Sequence, residues 1–75
     1  ELYQLRQFAA VAKYENMTRA AESLNVAQPR CIQNHTELES ELGAELFERT
    51  GKGLRRTEQG DILLRYARTI LEAER

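Results

Sequence analysis

The sequence predicts a mainly α-helical domain with winged helix-turn-helix architecture. Three observations carry this. Two helical patterns are separated by only Asn25, Val26 and Ala27, a spacing typical of a helix-turn-helix. A Gly51-Lys52-Gly53 turn joins two short segments, which reads as a small β-hairpin. A long amphipathic pattern then runs from Glu58 to Arg75.

The first helix is expected over Leu2 to Tyr14, where Leu5, Phe8, Ala9 and Ala12 fall at the spacing of one apolar face. Asn16 and Met17 break the pattern. Thr18 is a suitable N-cap for a short second helix, because its hydroxyl can accept from free backbone N–H groups. Ala20, Ala21 and Leu24 form the apolar side of that helix, and two adjacent alanines let a neighbouring helix approach closely. Asn25 tolerates the left-handed conformation that ends a helix.

The third helix is expected from Gln28 to Leu42. Pro29 sits in its first turn, where the missing N–H costs nothing, and Gly43 stands just past its end. The hairpin pairs Leu46–Thr50 with Leu54–Thr57. Thr57 caps the last helix, about 27 Å long at 1.5 Å per residue, with Glu58 and Asp61 at the positive end of its dipole. Its apolar positions Ile62, Leu63, Tyr66, Ala67, Ile70 and Leu71 make a stripe wider than so small a core can cover. A second surface, such as another copy of the same helix, is expected there. We therefore divide the chain into a winged helix-turn-helix over 1–57 and a linker or dimerisation helix over 58–75.

The 75 residues are 41% apolar and 31% charged, enough for one small core and a solvated surface. No apolar run approaches the ~20 residues of a membrane span, and no signal-peptide pattern is present. Cys31 is a single cysteine, which excludes an internal disulfide and fits a reducing, cytoplasmic setting. Glu1 at the start and a helical pattern uninterrupted at Arg75 lead us to expect one domain of a longer protein.

Several segments together resemble the N-terminal DNA-binding domain of LysR-type bacterial transcriptional regulators: LRQFAAVAKYENMTRAAESLNVAQP, LESELGAELFERTGKGLRRTEQG and LLRYARTIL. The likeness covers nearly the whole chain, in the expected order and spacing. It implies binding of double-stranded DNA, a homodimer or tetramer formed through the last helix, and a small-molecule effector bound by a further domain downstream. No paired carboxylates, phosphate loop or metal cluster stands out in the sequence, so no enzymatic activity and no cofactor are expected, and no membrane partner either.

The departures cluster in the third helix. Where the family usually has alanine or proline, leucine, serine, arginine, glutamine, isoleucine and two often basic residues, this chain has Arg30, Cys31, Ile32, Gln33, Asn34, His35, Thr36 and Glu37. Arg56 also stands where an apolar residue is common.

At 100° per residue, Cys31, His35, Leu38 and Leu42 share the inward face of that helix. Pro29, Ile32, Gln33, Thr36 and Ser40 lie opposite, preceded by Gln28. The N-terminal part of such an outer face enters the major groove in a helix-turn-helix. Gln28, Gln33 and Asn34 carry carboxamides suited to an adenine edge, Ile32 suits a thymine methyl, and Arg30 suits a guanine or a phosphate. The bland alternative is that these are solvated polar residues.

The net charge is −1, whereas DNA-binding domains usually carry excess Lys and Arg. The distribution is uneven, however. Arg49, Lys52, Arg55 and Arg56 face only Glu48 in the hairpin, while Glu37, Glu39 and Glu41 outnumber Arg30 in the third helix. Arg49, Lys52 and Arg55 surround a tip that can approach a phosphate backbone or the minor groove, the bland alternative being a solvated charged turn, and Thr18 and Arg19 at the start of the second helix are candidate phosphate contacts. The acidic residues oppose phosphate and predict weaker nonspecific affinity than in a basic relative.

Cys31 and His35 are one helical turn apart, but two ligands do not make a structural zinc site. We read Cys31 as apolar filler and His35 as a partly buried ring whose protonation destabilises the fold. The rival to DNA reading is an interaction module that keeps the scaffold and dimerises through its last helix but has weakened base readout. The 30–37 block separates the two.

Overall fold

The computed structural model describes residues 2–73. The elements run α1 (Leu2–Tyr14), α2 (Met17–Leu24), α3 (Gln28–Leu42), β1 (Phe47–Thr50), β2 (Gly53–Arg56) and α4 (Glu58–Glu72). The strands form one antiparallel hairpin in which Phe47 faces Arg56, Glu48 faces Arg55, Arg49 faces Leu54 and Thr50 faces Gly53. The winged helix-turn-helix predicted from the sequence is the fold observed.

Helix α1 is the centre, packing against α2, α3 and α4. Because it is covered on several sides, its buried sector is wider than one amphipathic stripe and rotated from the one predicted. Gln7, Phe8, Val11 and Ala12 are buried, whereas Leu5 and Ala9 are only half-buried. Phe8 and Val11 meet Ala20, Ala21, Cys31, Leu38, Leu46, Phe47, Leu64 and Ala67 in one core. Gln7 is a cost within it, since neither polar atom of its buried amide has a partner among the described residues.

Thr18 is not the N-cap of α2. Asn16, extended at φ −158° and ψ 121°, takes that place, and its side chain accepts the Arg19 N–H at 2.9 Å. Asparagine caps at least as well as threonine. Starting the helix at Met17 half-buries that side chain against the core and leaves Thr18 exposed in the first turn. At the other end Asn25 is left-handed at φ 58° and ψ 44°, and the Val26 N–H returns to Ala21 O at 3.0 Å. These bonds close the turn between α2 and α3.

Helix α3 ends at Gly43, left-handed at φ 69°. Its inward stripe is Cys31, His35 and Leu38, but Leu42 is 51% exposed, contrary to expectation. The chain reverses at Gly43, so the last turn of α3 projects beyond the core. Leu42 instead lines a shallow apolar groove with Leu46, Ile62, Leu63 and Tyr66.

In the hairpin only Gly51 and Lys52 form the turn, and Gly53 already belongs to β2. Gly53 is required for two reasons: its φ is 126°, and a Cβ there would lie 3.0 Å from Glu15 O. Glu15 itself is left-handed at φ 53°, an uncommon conformation for a non-glycine residue. That conformation turns its carbonyl to accept the Leu54 N–H at 3.3 Å, tying the wing to the α1–α2 turn.

The base of the wing is fixed at Thr57. Its N–H donates to Leu46 O at 3.0 Å, its hydroxyl donates to Glu45 O at 2.6 Å, and the same oxygen accepts the Gly60 N–H at 3.1 Å. Thr57 thus caps α4 as predicted. Leu64 and Ala67 pack α4 into the core. Residues 74 and 75 of the predicted final helix lie outside the described residues.

Candidate functional site

The exposed start of α3 and the wing converge on one side of the molecule. Ala27, extended at φ −70° and ψ 143°, is the N-cap of α3 and offers no side-chain acceptor. The first N–H groups of the helix therefore remain available for a ligand, and the helix dipole favours an anion there. Gln28, Pro29, Arg30, Ile32 and Gln33 are all exposed, and Asn34 is half-buried. Ile32 is a large apolar side chain 38% exposed on this otherwise polar face.

A groove of about 210 Å³ joins this face to its neighbours, lined by Asn16, Thr18, Gln28, Ile32, Arg49 and Gly53 among others. Three sequence-separated candidates, Thr18, Gln28 and Arg49, thus share one concave surface. The Thr18 hydroxyl donates to Gln28 Oε1 at 3.1 Å, so the two candidates act on each other directly.

The other polar candidates divide. Arg19, Arg30, Arg49 and Lys52 form no ion pair among the described residues. Arg55, by contrast, pairs across the hairpin with Glu48, and Arg56 Nε donates to Asp61 Oδ1 at 2.6 Å. The positive charge of the wing is therefore carried outward by Arg49 and Lys52. Gln33 Nε2 lies 3.5 Å from Glu37 Oε2, one turn along the helix. The hairpin tip is ordered by Thr50, whose hydroxyl donates to Gly53 O at 3.1 Å and accepts the Lys52 N–H at 3.2 Å.

Behind the exposed face lies the group that sequence reading only partly anticipated. His35 is 8% exposed and packs at a tilt of 41° against Phe47 with ring centroids 5.2 Å apart, and Phe47 in turn meets Phe8 at 5.4 Å. His35 Nε2 lies 3.3 Å from Glu39 Oε2, while Nδ1 is buried without a partner among the described residues. Burial pushes the imidazole below its ordinary pKa, against the opposing pull of the Glu39 charge and hydrogen bond. The sequence marks Glu39 only as a negative charge opposing phosphate, yet its Oε2 also accepts the Leu46 N–H at 2.7 Å. No pattern in the sequence signals that contact, because it spans a loop whose path is set by packing.

Cys31 is fully buried, with its thiol 3.9 Å from Met17 Sδ, and burial raises its pKa. Such a thiol is inert filler. Among the described residues no group of three or more His, Cys, Asp and Glu can hold a metal ion.

In α4 the stripe predicted for dimerisation is split. Ala67 is wholly buried within the chain's own core, joined by Leu64, which was not among the predicted residues. Leu63 and Leu71 are half-buried, and Ile62, Tyr66 and Ile70 stay exposed, Tyr66 to 65%. The inner edge of the stripe packs within the chain, where α4 meets α1, and its outer edge stays exposed.

The sequence profile of the bacterial regulatory helix-turn-helix proteins of the lysR family matches residues 2–61. The chain belongs to the LysR family. Among curated LysR-family relatives it is 46% identical over 69 residues to the RuBisCO operon transcriptional regulator of Allochromatium vinosum, covering 92% of this chain and 23% of that one. It is 41% identical over 71 residues to the HTH-type transcriptional regulator PcaQ of Agrobacterium fabrum, covering 95% and 23% respectively. The chain thus spans about a quarter of the length of these relatives.

The LysR-family fold is matched equally well among solved structures. The CbnR_DBD–DNA complex superposes with a TM-score of 0.91 at 42% identity, covering 99% of this chain and 85% of that one. The BenM_DBD/catB site 1 DNA complex gives 0.93 at 37% identity, covering 97% and 82%. Among the described residues no helix is long and apolar enough to cross a membrane.

Proposed function

We propose that this LysR-family domain binds double-stranded DNA sequence-specifically as part of a bacterial transcriptional regulator working in the cytoplasm. The observation that carries the reading is the single groove uniting Gln28 and Ile32 of α3 with Thr18 of α2 and Arg49 of the wing. Helix α3 enters the major groove by its N-terminal half. There the uncapped N–H groups and Arg30 approach phosphate or a base edge, and Gln28, Pro29, Ile32, Gln33 and Asn34 face the bases. Arg49 and Lys52 hold the flanking backbone from the wing, and Arg19 holds it from α2. Arg55 contributes less than the other two wing cations, because Glu48 already neutralises it. Similarity to two domains solved on DNA supports the same reading.

The exposed row of Ile62, Tyr66 and Ile70 supports self-association through α4 into a homodimer or tetramer. In a dimer the DNA-facing surfaces are paired, so a two-fold-symmetric site is the expected target. A small-molecule effector acts, on this reading, through a further domain, since the curated relatives are about four times as long as this chain.

The test is a titration against random duplex DNA and a selected duplex pool at two salt concentrations. A steep salt dependence with enrichment of a symmetric site is the expected result. Binding without enrichment reduces the domain to phosphate contact. No binding at low salt favours the interaction module instead.

A further inference from the structure

Thr18 stands at the start of α2, and its side chain meets Gln28 at the start of α3. Its hydroxyl donates to Gln28 Oε1 at 3.1 Å, and both residues are exposed at the groove that Ile32 and Arg49 also line. We infer that Thr18 is a positioning residue that sets the hydrogen-bonding polarity of Gln28, so that Gln28 meets DNA chiefly as a donor. The inference rests on the DNA-binding reading above and deepens it at one position.

A free glutamine can turn either end of its carboxamide to a base. Its favoured partner is adenine, where Oε1 accepts from N6 and Nε2 donates to N7. That arrangement needs Oε1 at the base edge. Here the oxygen is turned toward α2 and engaged by Thr18, while Nε2 forms no hydrogen bond among the described residues. An amide held this way presents two N–H donors. Guanine offers two acceptors in the major groove, thymine O4 offers one, and cytosine offers a donor that the amide nitrogen cannot satisfy. Exposed to water the Thr18–Gln28 bond adds little stability. A hydroxyl can also accept from Nε2, so the preference for donors holds while Oε1 is the end that Thr18 engages, as it is in the structure.

The two residues lie on different helices, and both helix starts are fixed independently of the pair. Asn16 caps α2, and α3 begins at Ala27 and Pro29. Removing the hydroxyl therefore changes which atoms Gln28 offers without moving either helix.

The experiment is selection from a randomised duplex pool by the wild-type domain and by the T18V, T18S, Q28A and T18V/Q28A variants, with affinity for random duplex measured in parallel. In wild type, one position of the selected site disfavours cytosine and prefers guanine or thymine over adenine. T18V is expected to lower the guanine-to-adenine ratio at that position about tenfold, the lower range for one bidentate base contact. Any loss of affinity for random duplex should be the same for T18V whether or not Gln28 is present, and T18S should keep the wild-type preference. In the Q28A background T18V should have no further effect on base preference. An unchanged preference in T18V, or a T18V effect that persists in Q28A, overturns the inference. If wild type selects a site and Q28A leaves every position unchanged, Gln28 is not a reader; the inference falls and the proposed function stands. If no variant selects any site, sequence-specific binding itself fails.

Discussion

Glu39 on α3 accepts the Leu46 N–H at 2.7 Å, which ties the recognition helix directly to the chain that opens the wing. Leu46 is 1% exposed, so its amide has no recourse to water. The same carboxylate oxygen faces His35 Nε2 at 3.3 Å. One acidic side chain thus fixes the wing relative to α3 and satisfies one side of a buried imidazole.

Glu39→Ala is expected to lower stability by about 1–3 kcal/mol, because it strands a buried N–H. Glu39→Gln keeps an acceptor and should cost less. Urea denaturation of both variants checks this, and an equal loss in the two would show that the charge, rather than the hydrogen bond, matters.

The buried His35 makes the fold acid-sensitive. Its folded pKa is lowered by burial, so the unfolded chain takes up a proton first as pH falls. Stability is therefore full above the ordinary histidine value of about 6.5, falls as pH drops below it, and levels off beneath the folded pKa. The unfolding midpoint should be lower at pH 5.5 than at pH 7.5. His35→Leu should flatten that difference, and a midpoint equally pH-dependent in the variant would assign the effect to another group.

Gly60→Ala should destabilise despite the general gain of replacing a helical glycine. A Cβ at Gly60 would lie 2.2 Å from Leu46 O, a backbone atom with no room to yield. Overpacking of this kind costs about 1–3 kcal/mol, more than the ~0.5–1 kcal/mol that alanine gains in a helix. A raised thermal midpoint in the variant would mean that α4 shifts freely.

On the wing, Arg49→Ala and Lys52→Ala should each flatten the salt dependence of DNA affinity by about one unit of log–log slope. Arg55→Ala should have a smaller effect, because its guanidinium is already engaged by Glu48. Equal effects at all three positions would mean that the Glu48 pair opens on DNA.

The order of elements was legible in residues that act locally. Pro29 and Gly43 bound α3, Asn25 ends α2, and Thr57 starts α4, because capping and left-handed turns depend on neighbours a few positions away. The inward placement of Cys31, His35 and Leu38 followed from helical period alone. The family was legible too, since several matched segments in order leave few alternatives.

What only the tertiary structure decided are relations between segments distant in sequence. Periodicity could not show that Gln7 and Val11 are buried, that Leu42 is left outside the core, or that Ala67 turns inward while Tyr66 stays out, because each depends on which neighbouring helix covers which side. Nor could it separate Arg55, held by Glu48, from Arg49 and Lys52, or reveal that Thr18 addresses Gln28 and Glu39 addresses Leu46. A side chain's type fixes the bonds it is able to make. The path of the rest of the chain fixes the partner it meets.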